Sequence, residues 1–140
     1  MLGRILGLDV GEKRIGIAIS DPLGITAQGL ETLQRKDDTQ AVKAIADIID
    51  TREVTAVVVG LPKNMNNSIG FKAKEVEAFV AKLQAVRDLP VHWVDERLTT
   101  VQATQVLLEA DVSRKKRKGV VDKLAAVFIL QTFLDRHDKH

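Results

Sequence analysis

The chain has 140 residues, 45% of them hydrophobic and 29% charged, and its 21 Lys and Arg against 19 Asp and Glu give a formal net charge of +2. That length and balance describe one globular domain around a single core, covering residues 1–140, and exclude a largely disordered chain. Cysteine and Tyr are absent and aromatic residues make up only 4%, which excludes disulfides, thiolate metal sites and cysteine nucleophiles and leaves few platforms for stacking nucleobases.

Residues 4–10 (RILGLDV) and 14–20 (RIGIAIS) are apolar runs on either side of Gly11, Glu12 and Lys13, which predicts a β-hairpin with a short glycine-containing turn. A third strand is expected near 24–33. Within 37–50, Ala41, Val42, Ile45, Ala46, Ile48 and Ile49 recur at helical spacing. The β-branched run over 54–62 reads as a central parallel strand covered on both faces. A polar, turn-rich segment, 63–70, leads into a second helical pattern at Val76, Phe79, Val80, Leu83 and Val86. Residues 90–94 read as another strand, running into Asp95, Glu96 and Arg97. Thr99 and Gln102 have the spacing of a capping box and predict a third helix. Five consecutive cations follow at Arg114, Lys115, Lys116, Arg117 and Lys118, placed before a final helix over 120–134. The order predicts an α/β fold with a five-stranded mixed sheet: an antiparallel opening, then βαβ crossovers, flanked by helices.

Three places put a carboxylate where burial is expected. Asp9 interrupts the apolar run of the first strand, where an ionised group is costly unless it is compensated. Asp95 and Glu96 stand at the carboxyl end of the last strand, the side of an open α/β sheet where ligand crevices form. Asp122 continues the stripe of Ala126, Ile129 and Phe133, which places it in line with core-facing residues, and the small Ala125 and Ala126 allow close approach to the sheet. Each also has an ordinary explanation: a turn aspartate beside Gly11, a loop acid paired with Arg97, and an acid favoured near a helix N-terminus. An all-carboxylate set suits a hard cation such as Mg2+ or Mn2+ and not zinc. His92, inside a strand, is expected to be a packed or edge residue and not a ligand.

Four ordered motifs resemble those of the YqgF family, the pre-16S rRNA nucleases also described as Holliday-junction-resolvase-like proteins. They are Gly7-Leu8-Asp9-Val10-Gly11 with Gly16-Ile17-Ala18, then Val59-Gly60-Leu61-Pro62 with Asn64 and Met65, then residues 94–100 (VDERLTT), and Val121-Asp122 with Ala125-Ala126. The resemblance implies an RNase H-like fold, a cytoplasmic location and a nuclease acting at the 5′ end of the precursor of the small-subunit rRNA. It also puts the acidic site, both catalytic and metal-binding, on Asp9, Glu96 and Asp122. The better-known junction resolvases look to carry an acid at the end of the fourth strand, where this chain has Gly60-Leu61-Pro62. Strand side chains alternate, so only one of Asp95 and Glu96 is expected to be a ligand, and Glu96 is chosen.

Nucleic-acid contacts are expected from Lys63, Asn64, Arg97 and the run 114–118, which would hold the phosphate backbone without reading sequence. Precursor rRNA is the expected partner and branched DNA the alternative, with no membrane association and either a monomer or a homodimer. Two other classes compete. The Asp9-Val10-Gly11 element also resembles the first phosphate loop of actin-like sugar kinases, which are far longer, and a non-catalytic module binding RNA or the transcription apparatus would leave the three acids without a task.

Overall fold

The computed structural model describes residues 3–61, 71–95 and 114–137, without the side chains of 71–72, 114–122 and 137. β1 (Arg4–Val10) and β2 (Arg14–Ser20) form the antiparallel hairpin, and β3 (Ala27–Gln34) pairs antiparallel with β2. Helix α1 (Asp38–Arg52) then crosses to β4 (Val54–Leu61), which lies parallel to β1. Helix α2 (Phe71–Val86) leads to β5 (Val91–Asp95), parallel to β4, and α3 (Arg114–His137) ends the described chain. The strand order is β3-β2-β1-β4-β5. The mixed sheet expected from the pattern is therefore present, with β1 in the middle and β4 an interior strand beside it.

The two faces of the sheet bury different side chains because alternate residues of a strand point opposite ways. Leu6, Leu8 and Val10 of β1 join Ile15, Ile17 and Ile19 of β2 and Val57 and Val59 of β4 in one core, covered by Val42, Ile45 and Ile49 of α1 and Val76, Phe79 and Leu83 of α2. Ala18, Val58 and Val94 form the other with Ala126, Ile129, Leu130, Phe133 and Leu134 of α3.

Local chemistry sets the element ends. Asp37 caps α1, its carboxylate accepting from the Thr39 N–H at 3.0 Å, and Glu53 closes the helix in the left-handed conformation at φ 57°. β3 begins at Ala27, later than expected, because the residues before it form a turn. There the Asp21 carboxylate accepts from the N–H groups of Ile25 (2.7 Å) and Thr26 (3.0 Å). These bonds, led by that from Thr26, hold the Asp21 carboxyl below its usual range.

The last helix differs most from expectation. It starts at Arg114, so the basic run lies inside the helix and not in a connection before it. Local propensity explains this, since Arg and Lys are good helix formers, and continuity with the buried stripe from Ala125 to Leu134 does the rest. The helix expected from Thr99 falls outside the described residues. Among the described residues no helix is long and apolar enough to cross a membrane.

Candidate active site

Asp9 sits near the carboxyl end of the middle strand, 8% exposed, directly across from Gly16 of β2. By alternation it shares a face with Ile5 and Gly7, the face that α3 covers. A Cβ built on Gly7 would stand 2.8 Å from the Leu130 Cβ and 3.1 Å from the Ala126 carbonyl oxygen, so only glycine lets the helix seat this closely on β1.

The course of α3 follows from its contacts with β3. Gln131 accepts from the Ala27 N–H at 2.9 Å and donates to the Ile25 carbonyl at 3.0 Å, at the start of β3. The aliphatic stem of Lys123 lies against Gly29, further along that strand. The helix therefore runs antiparallel to β1, and its N-terminal part lies toward the Asp9 end. Asp122 precedes Ala126 by four residues, which puts its backbone on the stripe over β1 toward Asp9. Its side chain is outside the description.

On β5, Val94 is buried in the α3-side core and the His92 ring packs on Phe133 of α3, centroids 4.7 Å apart. His92 is thus a packed residue, as expected. Alternation then assigns Asp95, like Val91, to the opposite face. Glu96, Arg97, Lys63 and Asn64 lie outside the described residues, and of the run 114–118 only the helical backbone is described. Among the described residues no group of three or more His, Asp or Glu side chains could hold a metal ion; two of the three expected acids are not in that set.

The turn beyond Asp9 is braced by Arg35, which pattern reading did not single out. Its Nη1 donates to the Gly11 carbonyl at 2.8 Å, its backbone N–H to the Lys13 carbonyl at 2.8 Å, and its Nε to Asp38 Oδ1 at 2.9 Å. The guanidinium also lies 5.0 Å from the centre of the Phe79 ring. One side chain thereby ties the hairpin turn to the starts of α1 and the body of α2. Hydrogen bonding to Arg35, and then to Lys82, holds the Asp38 carboxyl below its usual range. No periodicity could flag Arg35, because its key partner is a backbone carbonyl 24 residues away.

This sheet, with its buried middle-strand carboxylate and a helix seated across that strand, has the architecture of an RNase H-like nuclease domain of the junction-resolvase type. Thermus thermophilus RuvC in complex with a Holliday junction superposes with a TM-score of 0.62 at 15% identity, covering 96% of both chains. The fowlpox virus resolvase in complex with Holliday junction DNA gives 0.55 at 13%, covering 96% of this chain and 98% of that one. At such identities the likeness shows the fold. Residues 3–136 match the RuvX model, described as Holliday junction resolvase, and the chain belongs to that family. A Moorella thermoacetica protein is 55% identical over 133 residues, 95% of each chain, and a Streptococcus pneumoniae protein 54% identical over 136 residues, 95% of this chain and 98% of that one. Both carry the name "Putative pre-16S rRNA nuclease". The family resemblance drawn from the four motifs is borne out, and with it the nuclease class.

Proposed function

We propose that this chain is a metal-dependent nuclease that hydrolyses phosphodiester bonds during 5′-end processing of precursor 16S rRNA in the cytoplasm. The observation that carries the reading is Asp9: a carboxylate 8% exposed in the middle strand, on the face where Gly7 lets α3 seat and bring the Asp122 backbone toward it. The names of the similar proteins supply the RNA substrate.

The donor set fits a divalent metal. Asp9 is a largely buried carboxylate, and an all-oxygen donor set of this kind suits a hard ion such as Mg2+ or Mn2+. Asp9, Glu96 and Asp122 would hold it. Such an ion, when bound, supplies an activated water and charge stabilisation at the leaving oxygen. Asp9 contributes a carboxylate on the middle strand of the sheet, while Gly7 sets the height of α3, and Arg35 braces the turn that follows Asp9. Alternation puts Val94 on the α3 face and Asp95 on the opposite one, which counts against Asp95 as ligand, and the family motif then leaves Glu96. Lys63, Asn64, Arg97 and the cations of 114–118 hold substrate phosphates. In the reaction the oxygen of water bonds to phosphorus and the bond to one ribose oxygen breaks, leaving one phosphate end and one hydroxyl end.

A second reading, resolution of branched DNA, is favoured by the family description and by the likeness to RuvC along nearly the whole chain. The two are separated by offering the protein a precursor-rRNA 5′ segment and a four-way DNA junction in Mn2+. Cleavage of the RNA alone supports the first reading, and cleavage of the junction alone overturns it. Sedimentation of the free protein decides between monomer and homodimer.

A further inference from the structure

We infer that Arg14 and Lys123 form a phosphate-binding pair that flanks the level of Asp9 on the β2–β3 side, with Gly29 as the seat of the Lys123 stem. The inference rests on the nuclease reading for its substrate, a nucleic-acid phosphate backbone, and on three placements for its geometry.

The first placement is register. Asp9 is paired with Gly16, and Arg14 stands two residues earlier on β2. Residues two apart on a strand share a face, and Ala18 of this series is buried against α3, so Gly16 and Arg14 belong to the α3 face with Asp9. Arg14 is then the diagonal neighbour of Asp9, at about 7–8 Å, within reach of a long side chain. Gly16, directly across from Asp9, puts no side chain between them.

The second placement is Lys123. A Cβ built on Gly29 would lie 2.6 Å from its Cγ, 2.9 Å from its Cδ and 3.4 Å from its Cε, so the stem lies along bare β3 backbone. β3 is the edge of the sheet. Lys123 is half-buried there, its stem packed on a residue that has no side chain.

The third is spacing. Gly29 pairs with Ala18, and Ala18 with Gly7, so Lys123 stands one step below the Asp9–Gly16 row while Arg14 stands one step above it. The four residue steps from Ala18 to Arg14 span roughly 13 Å of strand. A backbone with one phosphate on Arg14 and another at Lys123 passes the level of Asp9 between them. The Arg14 guanidinium suits a fork on two phosphate oxygens and Lys123 a single point charge.

The test measures binding of a synthetic single-stranded RNA by fluorescence anisotropy across a KCl series, with divalent metal withheld. Each phosphate contact on a single strand contributes about 0.7 to the slope of log K against log salt. Arg14→Gln and Lys123→Gln should each flatten the slope by about 0.7 and the double variant by about 1.4. Arg14→Lys should keep the slope while weakening binding. Gly29→Ala keeps every charge but drives its Cβ into the Lys123 stem, and should flatten the slope as Lys123→Gln does. Slopes equal to wild type in both Gln variants overturn the pair, and a wild-type slope in Gly29→Ala overturns the seat. Should Arg14→Gln not fold, Arg14→Lys and Lys123→Gln carry the test. Cation-dependent binding without any metal-dependent cleavage by the wild type leaves the pair standing and removes the nuclease reading; cleavage with unchanged slopes does the reverse.

Discussion

Gly7→Ala tests whether α3 must seat directly on β1 for the site to form. The added Cβ would stand 2.8 Å from the Leu130 Cβ and 3.1 Å from the Ala126 carbonyl oxygen, atoms fixed to the helix backbone that no rotamer change can move. Carbon atoms rest about 3.5–4.0 Å apart, so the helix must lift by roughly 1 Å. Overpacking of this kind costs about 1–3 kcal/mol, less up to about 1 kcal/mol regained from the stiffer unfolded chain. For a chain of this size about 1 kcal/mol corresponds to a fall of roughly 3–4 °C in Tm. The helix that lifts carries Asp122, and a shift of about 1 Å at a reacting geometry can cost on the order of 100-fold in rate. Urea unfolding followed by circular dichroism and Mn2+-dependent cleavage of the precursor segment measure the two effects. Leu130→Ala is the control. It costs more stability, about 2–5 kcal/mol, yet keeps the Cβ and the helix height, so it should lose less activity than Gly7→Ala. A Gly7→Ala protein as stable and as active as wild type would refute the reasoning, and activity tracking stability alone across both variants would refute its link to the site.

Asp9→Asn should abolish metal-dependent cleavage while leaving stability unchanged or raised, since in the proposed site Asp9 would share its place with Glu96 and Asp122, like charges that repel without metal; retained cleavage or an unfolded variant would sink the assignment. Glu96→Gln should cost far more activity than Asp95→Asn, and the opposite order in a single-turnover assay would show the wrong ligand was chosen. Replacing three of the cations at 114–118 with Gln should raise KM and flatten the salt dependence with little change in kcat, because uniform binding is what is lost; an unchanged salt slope would leave the run as solvated helix surface. The Asp38 carboxyl is depressed by Arg35, so its contribution to stability is present above the ordinary carboxylate range and is lost as pH falls through its lowered folded value. The difference in stability between wild type and Asp38→Asn should therefore be constant near neutrality and vanish in strong acid, and a difference that persists there would count against the ion pair with Arg35.

Much of the fold was legible because burial has a period. The strands at 4–10 and 14–20 and the helix after Asp37 follow from alternation and helical spacing that one-sided burial imposes, and Asp9 declared itself as a charge in an apolar run. Ala125 and Ala126 likewise announced a close helix contact, which Gly7 completes. The start of α3 was misplaced because charge reads as solvation, whereas a run of Lys and Arg joined to a buried stripe costs the helix little to include. What only the tertiary structure decided concerns partners remote in sequence. Which face of β1 meets α3, and so that Asp9 and the Asp122 stripe share it, depends on the register of β2 and β4 against β1. Arg35 meets a carbonyl across 24 residues, and Lys123 finds its place on Gly29 only once β3 lies at the sheet edge. Local pattern records whether a residue is buried; which residues it is buried against is fixed by long-range pairing, and a catalytic site is made of such pairings.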